Sequence, residues 1–98
     1  MKEKPIEWES TSLEDLLGFP DGIVKEAGYQ LGKVQNGAEP SDWKPMHTVD
    51  PGAMEIRVKD ESGKYRIIYV AKLEDAIHVL HCFPKKTRRT RKSDIDPR

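Results

Sequence analysis

The chain has 98 residues, of which 36% are hydrophobic and 35% are charged, and this length and composition fit one small folded domain. No apolar run approaches the roughly 20 residues that a membrane-spanning helix needs, and residues 1–9 lack the apolar core of a secretory signal. A single cysteine, Cys82, excludes an internal disulfide and indicates a reducing compartment, so we expect a cytoplasmic protein. Histidine and cysteine are too scattered for a metal-binding motif, and we expect no metal and no other cofactor.

The formal net charge of zero conceals a strong asymmetry along the chain. Residues 1–53 carry five Lys and Arg against ten Asp and Glu, whereas residues 54–98 carry twelve against seven. The most basic stretch is Lys85–Lys92, with six basic residues in eight and no acidic one. Such a cluster is typical of a surface that binds a polyanion. A solvated basic tail is an equally simple interpretation.

The first part of the chain predicts a short strand and two helices. Residues 5–9 alternate weakly between apolar and polar side chains, as in a strand. Apolar residues then recur at helical spacing near Ser12–Phe19 and again over Asp21–Gln35, and the Asn36-Gly37 pair ends the second helix. We expect the apolar side chains of both helices to be buried against a sheet, namely Leu13, Leu16, Leu17, Val24, Ala27 and Leu31.

The second part of the chain changes to an extended pattern. Residues 37–52 contain three prolines and two glycines and predict a loop. Residues 54–59 alternate, residues 65–72 are β-branched and aromatic, and residues 76–83 form a further apolar run. Three strands with short connections predict an antiparallel meander.

The predicted fold class is therefore α+β, with two N-terminal helices packed on a small antiparallel sheet. We assign this domain to residues 1–86. Residues 87–98 form a basic C-terminal tail, which we expect to be mobile.

Several side chains of the predicted meander have the chemistry that RNA cleavage by internal transesterification needs. Fixed cations stabilise the phosphorane, and a proton-transfer group removes the proton from the 2′-hydroxyl or donates one to the 5′-oxygen. No metal is required. Arginine is well suited because its planar fork matches two phosphate oxygens. The residues of suitable type are Arg57, Arg66, His81, Lys85 and Lys86.

Each of these residues also has an ordinary structural interpretation. Arg57 and Lys59 fit solvent-facing strand positions, Arg66 fits a structural salt bridge, and His81 fits a hydrogen-bonded core histidine. Cys82 follows His81 directly, and neighbours in a strand point to opposite faces, so the pair does not form a Cys-His nucleophile.

The order of these motifs resembles the HigB-like, phage-derived branch of the RelE toxin superfamily. The matching features are a Glu-apolar-Arg triplet, a Ser-Gly turn, an aromatic strand with one arginine, and a His-x-Phe-x-Lys-Lys-Thr run. In this chain they are Glu55–Arg57, Ser62-Gly63, Tyr65–Tyr69 and His81–Thr87. Residues 26–46 are similar to the second helix and following loop of the same branch, so the resemblance covers roughly residues 5–96.

The resemblance implies a RelE-like fold and the toxin of a type II toxin–antitoxin system. Such a toxin is an endoribonuclease that cleaves messenger RNA on the ribosome without a metal. Its partners are the translated mRNA and a cognate antitoxin, commonly a helix-turn-helix protein, and no membrane is involved. By position, Arg57, Arg66, Lys85 and Lys86 match the family's basic residues, and His81 matches the family's position before the phenylalanine. We expect the catalytic residues to be Arg57, Arg66, His81 and Lys85. We expect the RNA-binding residues to be Lys59, Lys86, Arg88, Arg89, Arg91 and Lys92.

Within this site we expect Arg66 to stabilise the phosphorane, with Arg57 and Lys85 beside it. His81 is the candidate for proton transfer, and Lys86 or a tyrosine is the alternative. The chain departs from the family pattern at Pro84, where a polar residue is usual, and at Pro97, which blocks a C-terminal helix. An alternative function therefore stays open: a catalytically silent protein of the same fold that binds RNA, a ribosome or an antitoxin-like regulator.

Overall fold

The computed structural model describes residues 3–48, 51–71 and 76–85. The elements in chain order are β1 (Ile6–Trp8), α1 (Ser12–Leu17), α2 (Asp21–Gln35), β2 (Trp43–Pro45), β3 (Ala53–Asp60), β4 (Gly63–Val70) and β5 (Ile77–Pro84). No helix within the described ranges is long and apolar enough to cross a membrane. The predicted boundary between a domain at 1–86 and a tail at 87–98 lies outside the described residues.

The five strands form one mixed sheet in the order β1-β5-β4-β3-β2. Strands β2 to β5 pair antiparallel, whereas β1 runs parallel to β5. The predicted small antiparallel sheet is therefore wrong. The N-terminal strand returns to the far edge of the meander, and β2 lies inside the segment predicted to be a loop. Pro45 is compatible with β2 because this strand is an edge of the sheet, where a missing N–H leaves no ladder hydrogen bond unmade.

Both helices pack on the same face of the sheet and form the main core with it. Its helical members are Leu16, Ile23, Ala27, Leu31 and Val34, and its sheet members are Ile56, Val58, Tyr65, Ile67, Tyr69, Ile77, Val79 and Cys82. Fully burying one large aliphatic side chain contributes about 1.5–3 kcal/mol. Helix α2 ends at Gln35, and Gly37 just beyond its C-cap has a φ of 86°, in the left-handed region that favours glycine.

Helix α1 buries a different stripe from the one that its leucines predict. Ser12 and Leu16, four residues apart, face the sheet, and Ser12 Oγ donates to the Val79 carbonyl at 3.0 Å. Leu13 and Leu17, the other pair at this spacing, are 38% and 60% exposed, so their predicted burial is wrong. A helix of six residues presents only one stripe to the sheet, and in α1 this stripe is Ser12 and Leu16, with Ser12 held to β5 by its hydrogen bond.

The burial predicted for α2 is confirmed at two positions of three. Ala27 and Leu31 are buried, and Val24 is only partly buried. The buried stripe of α2 is completed by Ile23, which precedes Val24 and takes the place in the core that the sequence pattern assigns to its neighbour.

The sheet face opposite the helices, which we call the open face, has no helix over it in the described part of the chain. One end of it holds a small apolar cluster of Ala53, Ile68 and Val70, with Met46 and Leu80 against it. The other end is polar and carries the side chains considered below.

Strand β5 contains an irregularity that decides which of its side chains reach the open face. Ile68 pairs with His81, but the next residue of β4, Tyr69, pairs with Val79, so Leu80 is an extra residue in β5. A bulge of this kind shifts the in–out alternation by one position. A regular strand would place Val79 and His81 on one face. Instead, Val79 lies in the main core and His81 lies on the open face.

Pro84 is accommodated without loss of a ladder hydrogen bond. It pairs with Tyr65, and the N–H of the next residue, Lys85, donates to the Lys64 carbonyl at 2.7 Å. In an antiparallel ladder only alternate pairs exchange hydrogen bonds, so the nitrogen of Pro84 points away from β4. Strand β1 pairs with residues 77–79 and does not extend to this position.

Candidate functional site

Two arginines face each other on the open face. Arg57 of β3 and Arg66 of β4 are direct partners in the antiparallel register, which places their Cβ atoms about 4.5–5.5 Å apart. Like charges in direct opposition destabilise a strand pair. Each arginine is paired with a carboxylate that compensates this repulsion, and the two pairs differ greatly in burial.

Arg66 is held by a buried carboxylate. Its Nη1 lies 2.6 Å from Oε2 of Glu55, and the side chains of Arg66 and Glu55 are 11% and 2% exposed. Burial of a carboxylate is costly unless a cation accompanies it. The other oxygen of Glu55, Oε1, is also buried and has no hydrogen-bond partner among the described residues. Arg66 therefore does form a structural salt bridge, and its guanidinium still borders the open face.

Arg57 is held by an exposed carboxylate. Its Nε donates to Oδ1 of Asp42 at 3.2 Å, with the two side chains 37% and 58% exposed. Its backbone N–H also donates to the Asp42 carbonyl at 2.9 Å. Helix α2 holds the segment before β2 in place, because the Ser41 N–H donates to Oε1 of the buried Gln30 at 2.8 Å. An exposed ion pair contributes at most about 1 kcal/mol, so another anion can replace Asp42 at Arg57.

Three lysines extend the positive charge toward the end of the sheet. Lys59 and Lys64 are direct partners across β3 and β4, and Lys85 continues the register beside Lys64. All three side chains are exposed. Lys64 was not among the predicted site residues, although its position two residues before Arg66 puts both on the same face of β4.

We call these five cations the basic cluster: Arg57, Lys59, Lys64, Arg66 and Lys85. Against them stand the two carboxylates Glu55 and Asp42, so five positive charges less two negative charges leave a balance of +3. Four of the cations, all but Lys85, line a cavity of about 140 Å³ together with Asp42. The cavity has room for a phosphate group.

His81 and Phe83 border the basic cluster on β5. Phe83 is the direct partner of Arg66 and is 39% exposed. His81 is exposed and pairs with Ile68, which makes it a diagonal neighbour of Arg66. His81 is therefore not a core histidine. Phe83 was not a predicted site residue, although its position two residues after His81 puts both side chains on the same face of β5.

None of the three tyrosines, the alternative candidates for proton transfer, lies on the open face. Tyr65 and Tyr69 both lie in the main core, and Tyr29 lies on α2. Burial, with a smaller contribution from the negative charge of Glu39, raises the pKa of Tyr69 to about 12. Cys82 also lies in the main core, where burial and then the nearby Asp15 raise the pKa of its thiol to about 12.

The remaining predicted RNA-binding residues are Lys86, Arg88, Arg89, Arg91 and Lys92, and they lie outside the described residues. Of the basic stretch Lys85–Lys92, Lys85 is the residue that the structure describes. The described ranges contain no group of three or more His, Cys, Asp or Glu side chains that could hold a metal ion.

A comparison with family models identifies the class of protein. Residues 14–97 match one model, and this segment includes α2 and strands β2 to β5. The class is toxin-like and of the RelE/HigB type. Within it, the chain belongs to the family described as phage derived protein Gp49-like (DUF891). Searches of curated proteins and of solved structures found no match. The resemblance seen in the sequence is thus confirmed at the level of the RelE/HigB type.

Proposed function

We propose that the protein is the toxin of a toxin–antitoxin pair, an endoribonuclease that binds messenger RNA on the ribosome with its open face and cuts it. The observation that carries this proposal is the basic cluster, with its directly opposed Arg57 and Arg66 around a cavity of phosphate size. Cations fixed on strands are preorganised for a phosphate, because they need little movement when charge develops. Membership of a toxin-like family supports the same function.

The proposed reaction is an internal transesterification. The 2′-oxygen of a ribose attacks the adjacent phosphorus, the bond from phosphorus to the 5′-oxygen breaks, and the products carry a 2′,3′-cyclic phosphate and a 5′-hydroxyl. Negative charge develops on the oxygens of the phosphorane. Arg66 and Arg57 stabilise this charge, and Lys85 contributes from the end of β5.

Two protons move in this reaction, one from the 2′-hydroxyl and one to the 5′-oxygen. His81 is an exposed histidine on the open face, and imidazole is the side chain that most often serves as general acid or general base. Its exposure and its place diagonal to Arg66 make it our candidate for one of these transfers. Lys86, which lies outside the described residues, is the alternative candidate for this role.

The proposal implies particular partners and a location. The substrate is mRNA held by a ribosome, which places the protein in the cytoplasm. A cognate antitoxin, commonly a helix-turn-helix protein in systems of this type, would inhibit the toxin by covering the open face or by keeping it from the ribosome.

The second candidate function is a catalytically silent protein that binds RNA, a ribosome or an antitoxin-like regulator. One observation favours it. Both arginines are already paired with carboxylates, and these pairs reduce the positive charge that would act on a phosphorane.

Induced expression with mapping of mRNA 5′ ends tests the proposal. The wild type should arrest growth and produce cuts at fixed positions in translated mRNA, with 5′-hydroxyl ends. Arg66→Ala should remove the cuts, because the loss of one such electrostatic contact costs about 10²–10³-fold in rate, and circular dichroism should show that the variant is folded although Glu55 has lost its cation. Lys25→Ala, which changes an exposed lysine on α2, is the matched control and should cut as the wild type does. A wild type that associates with ribosomes and never cuts mRNA would establish the silent alternative instead.

A further inference from the structure

The two opposed arginines are anchored by carboxylates of opposite character. Glu55 is buried and contacts Arg66 at 2.6 Å, whereas Asp42 is exposed and contacts Arg57 at 3.2 Å. We propose that Glu55 is a positioning residue that fixes the Arg66 guanidinium, so that Arg66 is the fixed and Arg57 the exchangeable phosphate-binding cation. This inference rests on the proposed function, because it assigns different tasks to two residues of that site.

Glu55 acts through Arg66 and does not contact RNA. Its side chain is 2% exposed, and both Ala53 and Ile68 of the apolar cluster neighbour it on the open face. Oε1 is buried and Oε2 is held by Arg66, so neither oxygen of Glu55 is open to a substrate hydroxyl as a general base must be. Within the described ranges the ion pair of Glu55 is with Arg66, and this pair limits the orientations that the guanidinium can adopt.

The pair leaves Arg66 able to bind phosphate. A guanidinium has five N–H donors in one plane, and Glu55 engages the Nη1 end. Arg66 also lines the cavity that it shares with Arg57, Lys59 and Lys64, and the donors that Glu55 does not engage can bind an anion there. Orientation is gained at the expense of net charge, because the buried carboxylate neutralises the cation that it holds.

Arg57 has the complementary properties. Its carboxylate partner is more than half exposed and makes one contact with the guanidinium, through Nε. An RNA phosphate entering the shared cavity therefore competes with Asp42 for the same side chain. Asp42 acts as a built-in competitor, which lowers affinity for RNA without shaping the site around Arg66.

Arginine side-chain NMR on the folded full-length chain tests the assignment directly. The Nε–Hε group of Arg66 should be rigid in the free protein and that of Arg57 mobile, and a single-stranded RNA oligonucleotide should shift and rigidify Arg57. Glu55→Leu should make Arg66 mobile. Glu55→Gln keeps an oxygen that accepts a hydrogen bond and should restore its rigidity. Equal mobility of the two guanidinium groups in the wild type would overturn the inference.

Cleavage and binding assays separate positioning from a merely structural role. Glu55→Leu should lower the cleavage rate at saturating substrate by about 10²–10³-fold without weakening RNA binding, and Glu55→Gln should recover most of that rate. In an Arg66→Ala background, Glu55→Leu should have no further effect on the rate.

Asp42→Asn should tighten RNA binding at low salt by about two- to fivefold, because it removes the competing charge.

The outcomes distinguish this inference from the function on which it rests. A rigid Arg66 in a wild-type protein that cuts no mRNA would overturn the proposed nuclease and leave the positioning by Glu55 in place. A nuclease whose rate is unchanged by a folded Glu55→Leu variant would overturn the positioning alone. If Glu55→Leu does not fold, the RNA affinities of Glu55→Gln and Asp42→Asn still test the roles assigned to Glu55 and Asp42. Both should tighten RNA binding, and weaker binding in both would contradict the inference.

Discussion

Arg66 and Phe83 are direct partners across β4 and β5, so a guanidinium and a partly exposed aromatic ring lie side by side at the edge of the basic cluster. Exposed aromatic rings beside cations on a sheet face are a common arrangement for binding single-stranded RNA, because the base stacks on the ring while the cation holds the backbone.

Phe83→Ala should therefore weaken RNA binding by about 1–3 kcal/mol, the usual contribution of one stacked base. Fluorescence anisotropy with a labelled single-stranded oligonucleotide measures this change. Tyr29→Ala is the matched control, because Tyr29 is 62% exposed on α2, away from the basic cluster. Equal losses in the two variants would remove Phe83 from the site.

Lys64→Ala should reduce the salt dependence of RNA binding. Each phosphate neutralised on a single strand releases counterions and adds about 0.7 to the slope of log affinity against log salt. Lys64 lies opposite Lys59 and beside Lys85, and it lines the shared cavity. A titration at several salt concentrations should show a slope lower by about this amount. Lys25→Ala should leave the slope unchanged, and an unchanged slope for Lys64→Ala would place that lysine outside the RNA contact.

The sequence predicts both helices and the three long strands, because each has a sustained period of its own. It does not predict the full sheet. Residues 5–9 do predict β1, but β2 lies in the segment predicted to be a loop, because alternation over three residues carries almost no information. The pairing of Ile6 with Ile77 joins the two ends of the fold, and no local pattern reveals so distant a parallel contact.

For the site, alternation places Arg57 and Lys59 on one face, and the short turn between β3 and β4 sets Arg66 opposite Arg57. The position of His81 depends on the extra residue Leu80, which no composition signal marks. The ion pair of Glu55 with Arg66 follows from the register of two strands and is visible only once that register is known. The roles of these residues stay predictions until the variants above are measured.

Leu31→Ala should lower the free energy of unfolding by about 2–5 kcal/mol, the usual cost of truncating a buried leucine. Leu31 is 1% exposed and joins α2 to the main core. The matched control is Leu17→Ala, which removes the same atoms from a side chain that is 60% exposed. Urea unfolding followed by circular dichroism compares the two variants. A loss for Leu17→Ala as large as that for Leu31→Ala would contradict the stripe assigned to α1.

Tyr69 should make the fold sensitive to alkaline pH. Burial, and to a lesser degree the charge of Glu39, raises the pKa of its phenol from 10.0 to about 12. The raised pKa means that the folded state holds the phenolic proton more tightly than the unfolded state does. The resulting stabilisation is complete below pH 10 and is lost as pH rises toward 12.

Tyr69→Phe has no ionisable group at this position and should lose less stability than the wild type between pH 10 and pH 12, as measured by urea unfolding at each pH. Tyr29→Phe, at an exposed position on α2, should follow the wild-type curve. Cys82 adds to the alkaline loss in all three proteins, because burial also raises the pKa of its thiol. Its contribution cancels in the comparison, so coincident curves for the wild type and Tyr69→Phe would show that the phenol is not held in the main core.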